Sequence, residues 1–223
     1  PGVVGVVGDD FDRAHVALLR RRGVDLEGLQ IVAGGKTFHW EGYYEGDLGT
    51  AHTLKTELNV FETFQPVLPE SYRDAPAVLL GNIHPALQLE ALAQVREPRL
   101  TLVDTMNYWI SSMPAEVEKV FRRADAVCIN EDEARQFCNV ASTPRAAAEL
   151  LRLGPERIVI KKGASGVAVF GRNSFFALPA IPLLEVTDTT GAGDTFAGGF
   201  VGSLARRRTA SEDAWRRGAI AGV

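Results

Sequence analysis

Short apolar runs alternate with amphipathic stretches along most of this 223-residue chain. The runs are apolar almost throughout, which is typical of strands buried on both faces of a sheet. The predicted strands lie at residues 3–7, 77–80, 100–104, 126–129, 158–161 and 166–170. The amphipathic stretches predict helices at residues 12–22, 85–95, 114–123 and 142–154. This alternation predicts an α/β fold with a mostly parallel central sheet flanked by helices on both faces.

One segment, residues 31–64, departs from this rhythm. It is rich in Thr, Tyr, Trp and Phe, its polar and apolar positions partly alternate, and glycines stand where turns are expected. Such a pattern predicts half-exposed antiparallel strands, and therefore a small β-sheet lid inserted into the α/β body. Because no internal repeat or linker divides the chain, we predict a single domain over residues 1–223.

Composition and charge narrow the class of protein. The net charge is −4 with both signs interspersed, so the chain carries no basic footprint for nucleic acid. No apolar run approaches the ~18 residues of a membrane span. The two cysteines, Cys128 and Cys138, stand in apolar surroundings, which argues against a disulfide framework and favours a reducing cytoplasm. The chain begins at Pro1 and stops within a predicted helix, so we expect that it lacks one or both natural ends.

The stretch "DTTGAGDTFAGG", residues 188–199, is the first candidate for chemistry. A strand-like run, "LLEV", precedes it, and small and apolar residues suited to a tightly packed helix follow. Gly191, Ala192 and Gly193 are therefore predicted at a helix N-terminus, where backbone N–H groups and a dipole of roughly half a positive charge favour phosphate. Asp194 has two interpretations. It is either a first-turn acid worth ~0.3–1 kcal/mol or a general base beside an anion site, and spacing alone does not decide.

Residues 188–200 closely resemble the C-terminal signature of the PfkB/ribokinase family of sugar and nucleoside kinases, D-T-T-G-A-G-D-x-F-x-G-G-F. Two further motifs follow the order of that family. Residues 130–133, "NEDE", resemble its N-x-x-E motif, and residues 158–166, "IVIKKGASG", resemble the strand and G-x-x-G turn that carry the nucleotide. The resemblance extends over essentially the whole chain and implies a ribokinase-like fold with a small β-sheet lid.

The resemblance implies an ATP-dependent phosphotransferase that moves the γ-phosphate to a primary hydroxyl of a sugar or nucleoside. Asp194 would be the catalytic base. Gly191, Ala192 and Gly193 would form the anion hole for the transferred phosphoryl group, which agrees with the dipole argument.

The resemblance also implies residues for Mg²⁺ and ATP. Asn130 and Glu133 would organise Mg²⁺, partly through water. From the residues alone, an Asn-capped helix with an acid in its first turn is the simpler interpretation. Gly163 and Gly166 would let the backbone approach ATP, together with Lys161, which stands where the family often has Thr.

Asp188 and Thr190 resemble positions that help to hold a monovalent cation in several family members, so K⁺ is a further suggested cofactor. The alternative for Asp188 is a turn residue at a strand end that bonds its own backbone.

Four residues are candidates for binding the acceptor: Asn82, His84, Asp104 and Asn107. They lie at or just after the ends of predicted strands, and ligands bind at the carboxyl ends of parallel strands. The simpler interpretation of Asn82 is a turn, and that of His84 is a cap before Pro85. The aromatic residues of the lid could close over the acceptor, or they could pack against the lid of a second subunit in a homodimer. These residues are Phe38, Trp40, Tyr43 and Tyr44.

Two parts of the family pattern have no counterpart here. The N-terminal strand with its substrate-binding Asp and the following Gly-Gly motif are missing, as are the C-terminal helices that finish the adenine pocket. The missing N-terminal substrate motif supports one alternative, a catalytically silent protein of the kinase fold that binds sugar or nucleotide or has a regulatory role.

Overall fold

The computed structural model describes residues 1–44, 51–207 and 211–223. The chain forms two compact units. The smaller unit comprises Pro1–Asp74 with Ala93–Arg96, and the larger comprises Ala75–Leu92 with Glu97–Val223. All three motifs that resemble the kinase family lie in the larger unit.

The smaller unit begins with a strand, a helix and a second strand. Strands β1 (Gly5–Gly8) and β2 (Leu29–Val32) pair in parallel, with helix α1 (Arg13–Arg21) between them in the sequence. The carboxylate of Asp12 accepts a hydrogen bond of 2.7 Å from the N–H of Ala14 and caps α1. The predicted helix is therefore confirmed, whereas the first strand begins two residues later than predicted.

The predicted lid contains a separate two-stranded antiparallel sheet, β3 (His39–Tyr44) and β4 (Ala51–Glu57). Exposed and half-buried side chains alternate along β3, as expected for a strand with one face toward water. The antiparallel pairing predicted for this segment is confirmed. Residues 45–50 of the predicted lid lie outside the described residues.

Six strands form one sheet within the described part of the larger unit. In chain order they are β5 (Ala77–Leu80), β6 (Leu100–Asp104), β7 (Ala126–Asn130), β8 (Arg157–Lys161), β9 (Val167–Gly171) and β10 (Ser174–Leu178). Strands β5 to β8 lie side by side in parallel, and β9 and β10 complete the edge in antiparallel pairing. The predicted mostly parallel sheet is confirmed.

Helices cover both faces of this sheet. They are α2 (Pro85–Ala93), α3 (Asn107–Ser112), α4 (Pro114–Phe121), α5 (Glu131–Cys138), α6 (Thr143–Arg152), α7 (Ala192–Ala205) and α8 (Glu212–Gly222). Side chains of β7 alternate between two buried clusters: Val127 and Ile129 pack with α2 to α6, whereas Ala126 and Cys128 pack with α7 and α8. This alternation explains why the strand reads as a continuous apolar run.

The run "LLEV", residues 183–186, was predicted as a strand and forms none. Leu183, Leu184 and Val186 are exposed instead of joining either buried cluster. Pro179 and Pro182 precede the run, and a proline has no N–H to donate to a neighbouring strand. An apolar run becomes a strand only where another strand can pair with it, so this prediction was wrong.

Candidate active site

The candidate site lies at the carboxyl ends of β6, β7 and β8, which meet at one edge of the sheet because the strands are parallel. Asp104 ends β6, Asn130 ends β7 and Lys161 ends β8. In the register of the sheet, Asp104 stands opposite Cys128 and Asn130 stands opposite Lys161. The hydrogen-bonded register of three buried strands therefore positions these polar residues.

A buried ion pair connects the first and the third of these strands. The Lys161 Nζ lies 3.1 Å from both carboxylate oxygens of Asp104. Only 18% of the Lys161 side chain and 7% of the Asp104 side chain are exposed. Burial and, to a smaller extent, the charge of Asp194 raise the pKa of Asp104, against the opposing effect of Lys161. The sequence predicted separate roles for these two residues and did not predict that they pair.

The glycine-rich stretch begins α7 as predicted. Gly191 precedes the helix with φ +76°, a left-handed conformation that glycine adopts without steric cost. The N–H of Ala192 donates to the carbonyl of Thr189 at 3.1 Å, which closes the turn. Asp194 is exposed in the first turn of α7. An acid therefore stands at the positive end of the helix dipole, open to a ligand.

Gly193 brings the start of α7 against the ion pair. A side chain at this position would begin 3.1 Å from the Lys161 Nζ, which is tighter than an ordinary van der Waals contact. Glycine therefore leaves room for the ammonium. The ends of β6 and β8 and the N-terminus of α7 meet at this point.

Asn130 and Glu133 form a capping box at the start of α5. The Asn130 Oδ1 accepts from the N–H of Glu133 at 2.8 Å, and the Glu133 Oε2 accepts from the N–H of Asn130 at 2.9 Å. The Glu133 carboxylate also accepts from the N–H of Asn107, which ties α3 to α5. Burial raises the pKa of Glu133 to about 7. The capped helix that the residues alone suggested is confirmed.

The donor set near Glu133 fits Mg²⁺ bound largely through water. Over the described ranges, no three His, Cys, Asp or Glu side chains gather around a point that could hold a metal. Mg²⁺ keeps several waters and commonly needs only one or two carboxylates besides the phosphates of a substrate. A buried carboxylate that costs free energy to ionise is one that a cation would stabilise.

A cluster of rings lies at the ends of β5 and β6. The Trp109 Nε1 donates to the Asn82 Oδ1 at 3.0 Å. The ring of Trp109 meets the ring of His84 edge-on at 5.2 Å and that of Tyr108 at 4.7 Å between centroids. His84 also accepts from the N–H of Ala86, the capping role that was one of its two interpretations. Tyr108 and Trp109 were not predicted from the sequence.

Gln88 is a second residue that sequence reasoning missed. Its buried Nε2 donates to the carbonyls of Gly81 and Asp104, at 2.8 and 2.9 Å, and so ties the end of β5 to the end of β6. The available signal was a polar residue among the apolar positions of α2. A buried amide of this kind needs such partners, because an unpaired buried polar group is costly.

The turn after β8 contains the two glycines predicted to approach ATP. Gly163 has φ +53° and Gly166 has φ +94°. A side chain at Gly166 would collide with the carbonyl oxygen of Leu178, so close packing against the end of β10 already requires a glycine there. At Gly163 a side chain would meet nothing within 4 Å, so the backbone of this residue faces open space.

Asp188 and Thr190 form a local turn. The Asp188 Oδ1 accepts from the N–H of Thr190 at 2.8 Å, and both residues are exposed. This bond lowers the pKa of Asp188. The contact is the turn that was the alternative to a cation ligand. The described contacts thus gather Asp104, Asn107, Asn130, Glu133, Lys161 and Gly193, whereas local contacts hold Asp188 and Thr190.

The chain belongs to the pfkB family of carbohydrate kinases, whose family model matches residues 1–223. This match confirms the resemblance seen in the motifs and the class of enzyme. Among curated proteins, a cytidine kinase of Thermococcus kodakarensis is 31% identical over 216 residues, which are 95% of this chain and 76% of that protein.

Solved structures confirm the ribokinase-like fold. A nucleoside kinase of Methanocaldococcus jannaschii matches with a TM-score of 0.78 at 14% identity, over 99% of this chain and 71% of its own. A putative ribokinase II from E. coli in complex with ATP and Mg²⁺ matches with a TM-score of 0.78 at 20% identity, over 99% of this chain and 75% of its own.

Two further findings bear on the predictions from composition. Both cysteines are free thiols, and burial raises the pKa of Cys128 to about 12 and that of Cys138 to about 11. Among the residues that the structure describes, no helix is both long and apolar enough to cross a bilayer.

Proposed function

We propose that this protein transfers the γ-phosphate of ATP to a primary hydroxyl of a sugar or nucleoside. The observation that carries the proposal is the exposed Asp194 in the first turn of α7, beside the ends of β6 and β8. Membership of the kinase family supports the reaction class.

Asp194 is the proposed base. Its carboxylate accepts the proton of the acceptor hydroxyl as that oxygen attacks the γ-phosphorus, and ADP leaves with the bridging oxygen. The backbone around Gly191, Ala192 and Gly193 is the proposed anion hole at the positive end of the helix dipole. Because the Ala192 N–H bonds Thr189 in this structure, we assign the contact to phosphate chiefly to the N–H groups that follow it.

The nucleotide side of the site is assigned to β8 and α5. Gly163, whose backbone faces open space, and Gly166 are the proposed contacts to ATP. Asn130 and Glu133 are the proposed residues for Mg²⁺, acting partly through water, and Mg²⁺ would neutralise the phosphate charge there. K⁺ near Asp188 and Thr190 is proposed only as an additional cofactor, and omission of K⁺ from the assay tests it.

The acceptor side is assigned to Asn82, His84 and Asn107, with Tyr108 and Trp109 beside them. Aromatic rings at a strand end offer stacking faces to a planar base. Because a cytidine kinase is among the relatives, nucleosides are the first acceptors to test, before ribose and fructose. Asp104 stays a proposed contact to the acceptor, and both of its oxygens also accept from Lys161.

Two further proposals concern the oligomeric state and the cell compartment of the protein. The exposed lid residues Phe38 and Tyr43 offer an apolar surface to a second subunit, and the oligomeric state in solution tests this homodimer. A reducing cytoplasm is the proposed compartment, and both free cysteines support it.

The test is turnover by the purified protein with ATP, Mg²⁺ and a panel of nucleosides and sugars. Wild type should phosphorylate at least one acceptor, and Asp194→Asn should lower kcat about 10²–10⁴-fold. The substitution replaces an exposed side chain, so the melting temperature should stay close to that of wild type. If both proteins are inert and calorimetry shows that sugar or nucleotide binds without transfer, the protein is the silent binding protein instead.

A further inference from the structure

We propose that the ammonium of Lys161, held by Asp104, is a fixed positive charge that stabilises the phosphoryl group as it is transferred. This inference rests on the proposed function and adds a residue to it. Lys161 would contact the transferred group, and Asp104 would be a positioning residue that acts through Lys161.

The first support is the convergence of three separate elements on one nitrogen. Asp104 ends β6, Lys161 ends β8, and Gly193 lies in the first turn of α7. The Lys161 Nζ is 3.1 Å from each Asp104 oxygen and 3.1 Å from the place where a Gly193 side chain would begin. The charge therefore lies beside the proposed anion hole.

The second support is the number of donors that an ammonium carries. Lys161 has three N–H donors, and the two Asp104 oxygens account for two of them. The ion pair is largely buried, but a ligand can still reach Lys161, since 18% of its side chain is exposed. A phosphoryl oxygen that reaches the start of α7 can thus meet a donor that is already oriented.

The third support is the balance of charge around the site. Asp104, Glu133 and Asp194 bring carboxylates to the same edge, and ATP would add several more negative charges. Repulsion among these groups would weaken binding of the phosphates, and a lysine among them reduces that repulsion. Burial disfavours the charged form of Lys161, but the acidic groups around it have the larger, opposite effect and raise its pKa.

Stability alone does not account for this pair. Desolvation of two charges offsets much of their attraction, and a well-packed apolar pair of similar volume is often equally stable or more so. A buried pair directly beside the reacting groups is instead a place where a pre-oriented charge needs no reorganisation during the reaction.

The chemistry requires no additional reactant. The acceptor oxygen forms a bond to the γ-phosphorus, the bond from that phosphorus to the bridging oxygen breaks, and the proton goes to Asp194. Lys161 exchanges neither proton nor electrons, and it interacts more strongly as charge develops on the phosphoryl oxygens.

The experiment compares Lys161→Met, Asp104→Asn and the double variant with wild type. Lys161→Met leaves a buried carboxylate unpaired and should lower both stability and kcat. The double variant replaces both charges by neutral groups, so it should regain most of the melting temperature. If Lys161 acts on the phosphoryl group, kcat of the double variant should stay about 10²–10³-fold below wild type, with a smaller change in the KM of the acceptor.

Lys162 offers a matched control. It is the next residue along the chain, and its Nζ lies 3.7 Å from a carboxylate oxygen of Glu131 instead of pairing with Asp104. Lys162→Met removes the same charge and should leave kcat close to that of wild type. Lys161→Arg keeps the positive charge and should retain more turnover than Lys161→Met.

A binding measurement provides a readout besides turnover. Calorimetry with ADP and Mg²⁺ is compared with ADP, Mg²⁺ and tetrafluoroaluminate, which mimics the phosphoryl group in transfer. The double variant should lose affinity for the tetrafluoroaluminate complex while its affinity for ADP alone changes less.

Each outcome separates this inference from the proposed function. A double variant that turns over within a few-fold of wild type would overturn the role of Lys161 and leave the kinase assignment intact. An equal loss of affinity for ADP with and without tetrafluoroaluminate would also overturn it. A wild-type protein that phosphorylates no acceptor would instead remove the proposed function itself.

Discussion

Apolar side chains are usually buried and charged ones exposed, and two parts of the larger unit show the opposite pattern. The strand-end cluster, defined by Asp104, Asn130, Glu133 and Lys161, carries charge into positions that are buried or nearly so. In the approach segment, residues 181–190, the leucine side chains are exposed to solvent, and Leu184 is fully exposed. Both lie next to the start of α7.

The difference between them lies in what holds each backbone. Three members of the strand-end cluster end β6, β7 and β8, whose backbones are held by a hydrogen-bonded register and by apolar packing on both faces. The fourth, Glu133, lies in the first turn of α5 and forms the capping box with Asn130 at the end of β7. Within the described residues the approach segment pairs with no strand, and a turn such as that of Asp188 holds it locally. Buried charges can be positioned accurately only by a rigid support, so we expect function and stability to respond very differently in the two parts.

The largest expected effect on stability comes from a Leu→Ala substitution, made once in a strand that supports the strand-end cluster and once in the approach segment. Leu102→Ala removes a fully buried side chain of β6, two residues before Asp104, and should cost about 2–5 kcal/mol of unfolding free energy. Leu184→Ala makes the same change in the approach segment and should stay within about 0.5 kcal/mol of wild type. Urea denaturation measures both. Equal losses of unfolding free energy would show that the approach segment is packed in solution, and the two parts would then not differ in this respect.

The next effect concerns the buried charge of Glu133. Its pKa is raised by burial to about 7, against 4.5 as the ordinary value, so the folded protein holds this proton where the unfolded chain has released it. Stability from this group is therefore present below about pH 4.5 and falls as the pH rises toward 7. The loss should be on the order of 3 kcal/mol, at 1.36 kcal/mol for each pH unit.

The measurement compares Glu133→Gln with wild type in urea at several pH values, without divalent metal. The advantage of wild type over Glu133→Gln should shrink between pH 4.5 and 7, because Gln does not titrate. A difference that is constant across this range would mean that the carboxylate is solvated, contrary to the burial of the strand-end cluster.

The smallest effect should separate two glycines of one turn. Gly166→Ala would place a side chain against Leu178 at φ +94°, and the backbone conformation alone should cost about 1–3 kcal/mol. Gly163→Ala, with φ +53° and open space around it, should cost about 1 kcal/mol. Thermal melts of the two variants rank them. The opposite order would show that the end of β10 does not press on this turn.

The local pattern predicted much of the fold. Strands β5 to β9 fall within about one residue of their predicted bounds, because each is a short apolar run that ends at polar, glycine or proline residues. Helix α7 begins at Ala192, as the glycine-rich stretch predicted. Where the prediction failed, at residues 183–186, the pattern was equally apolar, but prolines and the absence of a pairing strand decided against a strand.

Some features of the candidate site could likewise be predicted from local sequence, whereas others could not. The sequence by itself determined the residue types and their places at strand ends and at a helix start, since periodicity, caps and glycines are local properties. Only the tertiary structure decided that Lys161 pairs with Asp104, 57 residues away, that Gln88 ties β5 to β6, and that Glu133 is buried. Contacts of this kind depend on strand order and register, which bring distant residues to one edge of the sheet and leave no mark in the neighbouring sequence.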